Sequence, residues 1–245
     1  MSRTPILCYH NVEQAPDGSR FKLLYVSPEQ FDRQLWTLRR LGMRGVSMRD
    51  GWQQLSGTAR GNRVVLTFDD GYLDTLTQAL PALRRYGFTA TCYVVSGAIG
   101  THNRWDAEYL HEEKLLMSHA HLQQWLAAGM EIGSHSCSHP KLQELDDASA
   151  GREIADSRAA LRDAFGVSVE HFSYPFGRFS GSTVELVKRA GYASAVSLLP
   201  GSARATDDPH RLPRILVNGD QGWCRFLLHV ATPYLDLRHW RRSAS

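Results

Sequence analysis

Val64-Val65-Leu66-Thr67-Phe68-Asp69-Asp70-Gly71-Tyr72 is a short β-branched and apolar run that stops at two carboxylates and a glycine. A run of that length and composition reads as a buried strand, and the Asp-Asp-Gly that ends it reads as a turn. Further along, Met130-Glu131-Ile132-Gly133-Ser134 runs in the same way into His135-Ser136-Cys137-Ser138-His139-Pro140. In an α/β barrel the reactive side chains project from the carboxyl ends of the strands. Either cluster alone is weak evidence, since acidic turns and surface histidine pairs are common. Two such clusters at two strand ends supply three ligands for a metal and one carboxylate left over as a base. A catalytic zinc uses that donor set and keeps one position open for water.

Outward from these runs, short β-rich segments alternate with helical patterns, which argues for parallel strands joined by crossover helices. Strands are predicted at Ile6 to Tyr9, Arg44 to Ser47, Val64 to Phe68, Ala90 to Val95, Glu131 to Gly133, His171 to Tyr174, Ala193 to Val196 and Ile215 to Val217. A helix over Pro28 to Leu41 follows Ser27 as N-cap, with proline at its first position. Helices over Tyr72 to Tyr86, Ala120 to Ala128, Ala148 to Phe165 and Ser180 to Ala190 each end at a glycine suited to a left-handed C′ position. The loop from Ser96 to Glu113 is long enough to expect a functional role.

The chain has 245 residues, a size that one α/β barrel accounts for. It has four cysteines, Cys8, Cys92, Cys137 and Cys224, with no Cys-x-x-Cys pair. Two of them fall inside predicted strands, where a free thiol behaves as a small hydrophobe. With no apolar leader before the first strand, this predicts a reduced, cytoplasmic protein. No stretch is apolar enough for a membrane span. The formal net charge of +3 does not suggest nucleic acid as a partner. The basic end, Arg238-His239-Trp240-Arg241-Arg242, is expected to be a solvated tail over 238–245, with peripheral contact to an anionic membrane as the alternative.

The Thr67-Phe68-Asp69-Asp70-Gly71 string and the His-Ser-x-x-x-His-Pro string, His135 to Pro140, resemble the first two motifs of the polysaccharide deacetylases of carbohydrate esterase family four. Phe172-Ser173-Tyr174-Pro175-Phe176-Gly177 is similar to a third motif. The resemblance runs from about Pro5 to Asn218. It implies a distorted (β/α) barrel of about seven parallel strands, a single domain, and a metal-dependent hydrolase that removes N-acetyl groups from sugars of a poly- or oligosaccharide or glycolipid.

The resemblance gives Asp70, His135 and His139 as metal ligands and Asp69 as general base. Adjacent aspartates on an extended segment face opposite sides, which permits this division without deciding it. Pro140 disfavours a helix through His139, so a single turn is expected to bring the two rings together. Zinc is the expected ion, with cobalt or nickel compatible with the same donors. Many family members carry an arginine at the position of Ser173. Arg214 is a candidate to supply that guanidinium from another strand, with an ordinary strand-end arginine as the equal alternative. The backbone N–H of Phe176 corresponds to an oxyanion donor.

For the general acid, His10 at the end of the first strand competes with His229 in the helix-like run Trp223 to Val230. The permuted poly-N-acetylglucosamine deacetylase branch, which opens with a similar Tyr-His-x-Val segment, favours His10. Trp105 and Asp106 are candidates to line the groove, and Tyr72 and Tyr174 to contact substrate or to pack. Rival readings are an amidase acting on a small or cyclic amide and a non-catalytic glycan-binding relative.

Overall fold

The structure, a computed structural model, describes residues 3–58, 61–106 and 113–236. The basic segment 238–245 lies outside the described residues, as does most of 107–113 in the long loop. Eight parallel strands form one sheet: β1 (Ile6–Tyr9), β2 (Arg44–Val46), β3 (Arg63–Phe68), β4 (Thr91–Val94), β5 (Glu131–Ser134), β6 (His171–Ser173), β7 (Ser194–Pro200) and β8 (Leu212–Leu216). Seven of them close a barrel in the order β1-β8-β7-β6-β5-β4-β3 and back to β1, where Ile6 to Tyr9 pair with Val65 to Phe68. The eighth, β2, pairs with the first half of β3 while β4 pairs with its second half. The Thr89 amide donates to the Gly45 carbonyl, so β2 fills the gap where β3 and β4 splay at the bottom.

Strand alternation divides the barrel into two cores. Leu7, Tyr9, Val64, Leu66, Phe68, Cys92, Ile132, Phe172 and Tyr174 face outward and join one cluster with the helices. Each such large side chain contributes about 1.5–3 kcal/mol by leaving water. Ile6, Val65, Tyr93, Val196 and Leu212 alternate with them and fill the lower lumen. That parity aims Cys8, His10, Thr67, Asp69, His135, Ser173 and Arg214 at the barrel axis. The functional side chains therefore sit on the lumen face, above an apolar plug.

Among the described residues, the helices that position the site are α1 (Pro28–Arg40), α2 (Met48–Leu55), α3 (Leu80–Tyr86), α4 (His119–Ala127), α5 (Asp147–Phe165), α6 (Gly181–Arg189) and α7 (Trp223–Ala231). Ser27 caps α1 by accepting from the Gln30 amide, with Pro28 at the first turn. The helix predicted from Tyr72 starts later. Tyr72 makes a bridge to Leu116, and a π-helical turn at Thr75–Ala79 leads into α3. Pro81 lacks the N–H that a regular ladder would need there.

Sequence reading left out α2, which follows β2 after a single residue. Ser47 caps it by accepting from the Asp50 amide, and Met48 and Leu55 close the floor of the lumen. Gly51 is required there, because a Cβ would come within 2.6 Å of Val65 Cγ2. Arg3–Thr4 and Ala203–Arg204 form a small antiparallel pair that was also not predicted.

Candidate active site

Asp69 is the next lumen-facing residue after Val65 and Thr67, and it meets Arg214 from β8. The guanidinium grips it bidentately, Nη1 to Oδ1 and Nη2 to Oδ2, both at 2.7 Å. Arg214 also donates to Thr67 Oγ1 (3.2 Å), Ser173 Oγ (3.1 Å) and the Ser197 carbonyl (2.8 Å), so all of its donor nitrogens are engaged. Ser173 Oγ and Cys8 Sγ approach Asp69 Oδ2 at 3.3 and 3.6 Å. Both charges are buried. Burial alone would raise the Asp69 pKa, but the guanidinium outweighs it and holds the carboxyl well below the usual carboxylate range. Arg214 thus supplies Asp69 with a guanidinium from β8.

Asp70 departs from the extended geometry expected of it. Its φ is 73°, in the left-handed region, and Gly71 follows at 81°. Strand alternation would have sent Asp70 outward; the left-handed turn folds it back over the barrel mouth. There Asp70 Oδ1 lies 3.4 Å from both His135 Nε2 and His139 Nε2. Ser136, His139 and Phe176 are also left-handed, at 65°, 61° and 58°. Among the described residues these four are the only non-glycine ones with positive φ, and all four lie at this mouth. Strain of this kind persists where surrounding bonds over-determine the backbone. Glu153 of α5 supplies such bonds: its Oε2 accepts from the amides of Cys137 and Ser138, each at 2.9 Å, and its Oε1 from Ser138 Oγ at 2.7 Å. Sequence reading did not single out Glu153, which nothing local marks as a partner of a loop sixteen residues away.

His135 Nδ1 lies 2.7 Å from the Ser173 carbonyl, an acceptor, so that nitrogen carries the proton and Nε2 is left with its lone pair toward Asp70. Burial disfavours the charged ring, but the Asp70 carboxylate outweighs it and raises the His135 pKa. Burial and the neighbouring His135 hold His139 down to about 3, which leaves it a neutral imidazole. Two neutral-capable imidazoles and a carboxylate, with ligand atoms within 4.8 Å of one another, match the donor chemistry of a divalent transition-metal site. Cys137 belongs to no such group.

The cleft above this cluster has a volume of about 440 Å³. His10, Asp69, Asp70, Trp105, Asp106 and Phe176 line it, together with Phe21 and Leu24. Trp105 and Phe176 pack on the His139 ring, each with centroids 4.6 Å apart. Gly177 is close-packed: a Cβ would reach within 2.4 Å of the Leu198 side chain.

His10 points into the cleft by strand parity, and its Nδ1 is buried without a protein partner. Burial lowers its pKa, while Asp69 and Asp70 pull the other way. His229 is elsewhere. It is buried on α7, with Nδ1 3.0 Å from Gln221 Nε2 and its ring stacked on Tyr234.

Of the two alternatives for Tyr72 and Tyr174, contact with substrate or packing, the structure puts both in packed positions. Tyr174 faces outward, fully buried between Phe172 and Phe179, and donates to the His210 carbonyl. Tyr72 is buried beneath the cleft wall and donates to Asp106 Oδ2 at 3.0 Å.

A family model described as polysaccharide deacetylase matches residues 56–195, which carry the aspartate pair, both histidines and the Phe176 turn. The chain belongs to the polysaccharide deacetylase family. Among curated relatives, YxkH of Bacillus subtilis is 27% identical over 219 residues, covering 89% of this chain and 72% of its own length. The poly-beta-1,6-N-acetyl-D-glucosamine N-deacetylase of Staphylococcus aureus is 22% identical over 227 residues, covering 87% and 78%. The fold matches the Streptococcus pyogenes deacetylase PplD at a TM-score of 0.81 and 24% identity, over 94% of this chain and 98% of that one. IcaB from Ammonifex degensii superposes over 94% and 97%, with a TM-score of 0.80 and 24% identity. Both superpositions run over nearly the whole chain.

Proposed function

We propose that this protein is a metal-dependent N-deacetylase acting on N-acetylated sugars of a poly- or oligosaccharide or glycolipid. The observation that carries the reading is the convergence of Asp70, His135 and His139 at one point, beside a separate buried carboxylate and under aromatic walls. Zinc is the expected ion, with cobalt or nickel suited to the same donors, and when bound it would polarise the acetamide carbonyl and acidify water.

The chain's own residues then divide the work. Arg214 keeps Asp69 ionised at every working pH, ready to take the proton of the attacking water. So firm a counter-ion also makes Asp69 a weak base, which is why it needs water that is already acidified. The N–H of Phe176, which lines the cleft on a left-handed turn, donates to the developing oxyanion. His10 delivers a proton to the departing amine; burial lowers its pKa, and Asp70 and Asp69 oppose that shift only in part. Trp105 and Phe176 offer ring faces to a sugar, which fits a carbohydrate better than a small cyclic amide.

Mass spectrometry of N-acetylglucosamine oligomers, lipid-linked sugars and peptidoglycan fragments incubated with metal-loaded protein tests this reading. Loss of one acetyl mass with release of acetate is expected from at least one class. Asp69→Asn should retain metal and lose activity by about 10²-fold or more, as for removal of a general base. Near-normal turnover by that variant would sink the assignment of the base.

A further inference from the structure

Lys114 lies just past the long loop and touches none of the reacting groups, yet three segments of the site meet on it. Its ammonium donates to Asp74 Oδ2 at 2.9 Å and to Glu13 Oε2 at 2.5 Å. It also sits over the Tyr25 and Tyr72 rings, 4.8 and 5.5 Å from their centroids. Asp74 belongs to the helical segment after Asp70, and its other oxygen accepts from the Val12 amide at 2.9 Å. Val12 is two residues past His10. Asn11 between them is held in turn by the Leu24 carbonyl and the Val26 amide, so the whole segment hangs from this corner.

The third segment is the cleft wall. The Lys114 amide donates to Asn103 Oδ1 at 2.6 Å, and the Asn103 amide donates back to the Lys114 carbonyl at 3.2 Å. Asn103 leads directly into Trp105 and Asp106, and Asp106 is tied to Tyr72. One residue therefore joins the three segments: its ammonium ties the His10 and Asp70 segments, and its backbone holds the Trp105 wall. Asp74 is 7% exposed and Lys114 16%, so the pair is shielded enough to hold a fixed geometry rather than act as a loose surface bridge.

We propose that Lys114, acting through Asp74 and the Val12 amide, is a positioning residue that holds His10 over the reacting nitrogen. This rests on the N-deacetylase reading and adds to it the part that sets the general acid. The consequence is selective. An acetamide expels an amine, which leaves only when protonated, whereas an aryl acetate expels a phenolate that needs no proton. Misplacing His10 should therefore harm the first reaction and spare the second.

The test compares wild type, Lys114→Met and Lys114→Arg, each metal-loaded, on an N-acetylglucosamine oligomer and on 4-nitrophenyl acetate. Hydrogen exchange at the Val12 amide is measured alongside. Lys114→Met should lose kcat on the acetamide by about tenfold or more while ester hydrolysis stays within about threefold. Val12 should lose protection, and Lys114→Arg should recover much of both. Parallel loss on amide and ester, or unchanged Val12 protection with a selective loss, overturns the proposal. Should Lys114→Met fail to fold, Asp74→Asn carries the test. It keeps an acceptor for Val12 but weakens the ammonium tie, and the same selective loss is expected. If wild type deacetylates none of the sugars, the N-deacetylase reading fails instead, and Val12 exchange together with the His10 ring signals in NMR still decides whether Lys114 sets that segment.

Discussion

Replacing Arg214 with methionine removes both bonds to Asp69 and leaves a carboxylate that is 2% exposed with no counter-ion. Breaking a buried pair by deleting one partner costs about 3–5 kcal/mol. At about 1.36 kcal/mol per unit, the same cost places the Asp69 pKa of the variant about 2–4 units above the depressed folded value of wild type. In wild type, the depressed Asp69 contributes stability that is present above about pH 4 and is lost as pH falls through its folded value. Arg214→Met lacks that contribution, so acid should weaken wild type more than the variant. Chemical denaturation of both proteins in the metal-free state, from about pH 2 to 8, measures this. The gap should be about 3–5 kcal/mol near pH 8 and should shrink as pH falls below about 4. A gap below about 1 kcal/mol, or one that is constant with pH, would refute the account of Asp69 as a carboxylate kept charged by this guanidinium.

His135→Ala and His139→Ala should each lose stoichiometric zinc, read by elemental analysis after dialysis; full retention by both would remove these residues from the ligand set. His10→Ala should lose most N-deacetylation at unchanged metal content while His229→Ala stays near wild type, and the opposite ranking in a steady-state assay would return the general acid to the last helix. His171 is buried at the floor of the barrel, accompanied by Ser194 Oγ at 2.8 Å and Glu131 Oε1 at 3.7 Å. Burial lowers its pKa despite the carboxylate, so the stability it contributes is complete above about pH 6.5 and erodes below it. Wild type should therefore lose more stability between pH 6.5 and 5 than His171→Gln does, and equal slopes in urea titrations would contradict a neutral buried imidazole.

Much of the barrel was legible because parallel strands buried on both faces leave compact apolar runs, and each run here stops at a turn residue. What was hidden has physical reasons. The floor helix Met48–Leu55 begins right after a three-residue strand and carries a glycine in its middle, so neither its length nor its propensity announces it. Its Ser47 and Asp50 cap was the available signal. The proposed ligands and the paired aspartate could be named from motifs, whereas Arg214 could be offered as the partner of Asp69 only on equal terms with an ordinary strand-end arginine. Arg214 is 145 residues away, and only closure of the barrel between β8 and β1, next to β3, brings it into reach. Lys114 and Glu153 were hidden for the same reason, since both act on segments that touch them only in three dimensions.

Strand parity explains the arrangement at the third motif. Along β6, His171 and Ser173 face the axis and Phe172 and Tyr174 face the helices. A tyrosine beside the motif was therefore bound to be packing, while the serine that replaces an arginine was bound to be at the site. The same parity, counted from Val65 through Thr67, puts Asp69 in the lumen and would turn Asp70 away. The placement of Asp70 beside His135 and His139 is thus incompatible with a strand that simply continues. It requires the break to left-handed backbone that Gly71 prolongs, and the adjacent aspartates part because one still belongs to the strand and the other to the turn. The two carboxylates in turn meet different partners, a guanidinium fixed below and two imidazoles above, and the proposed division into ligand and base rests on that difference in surroundings.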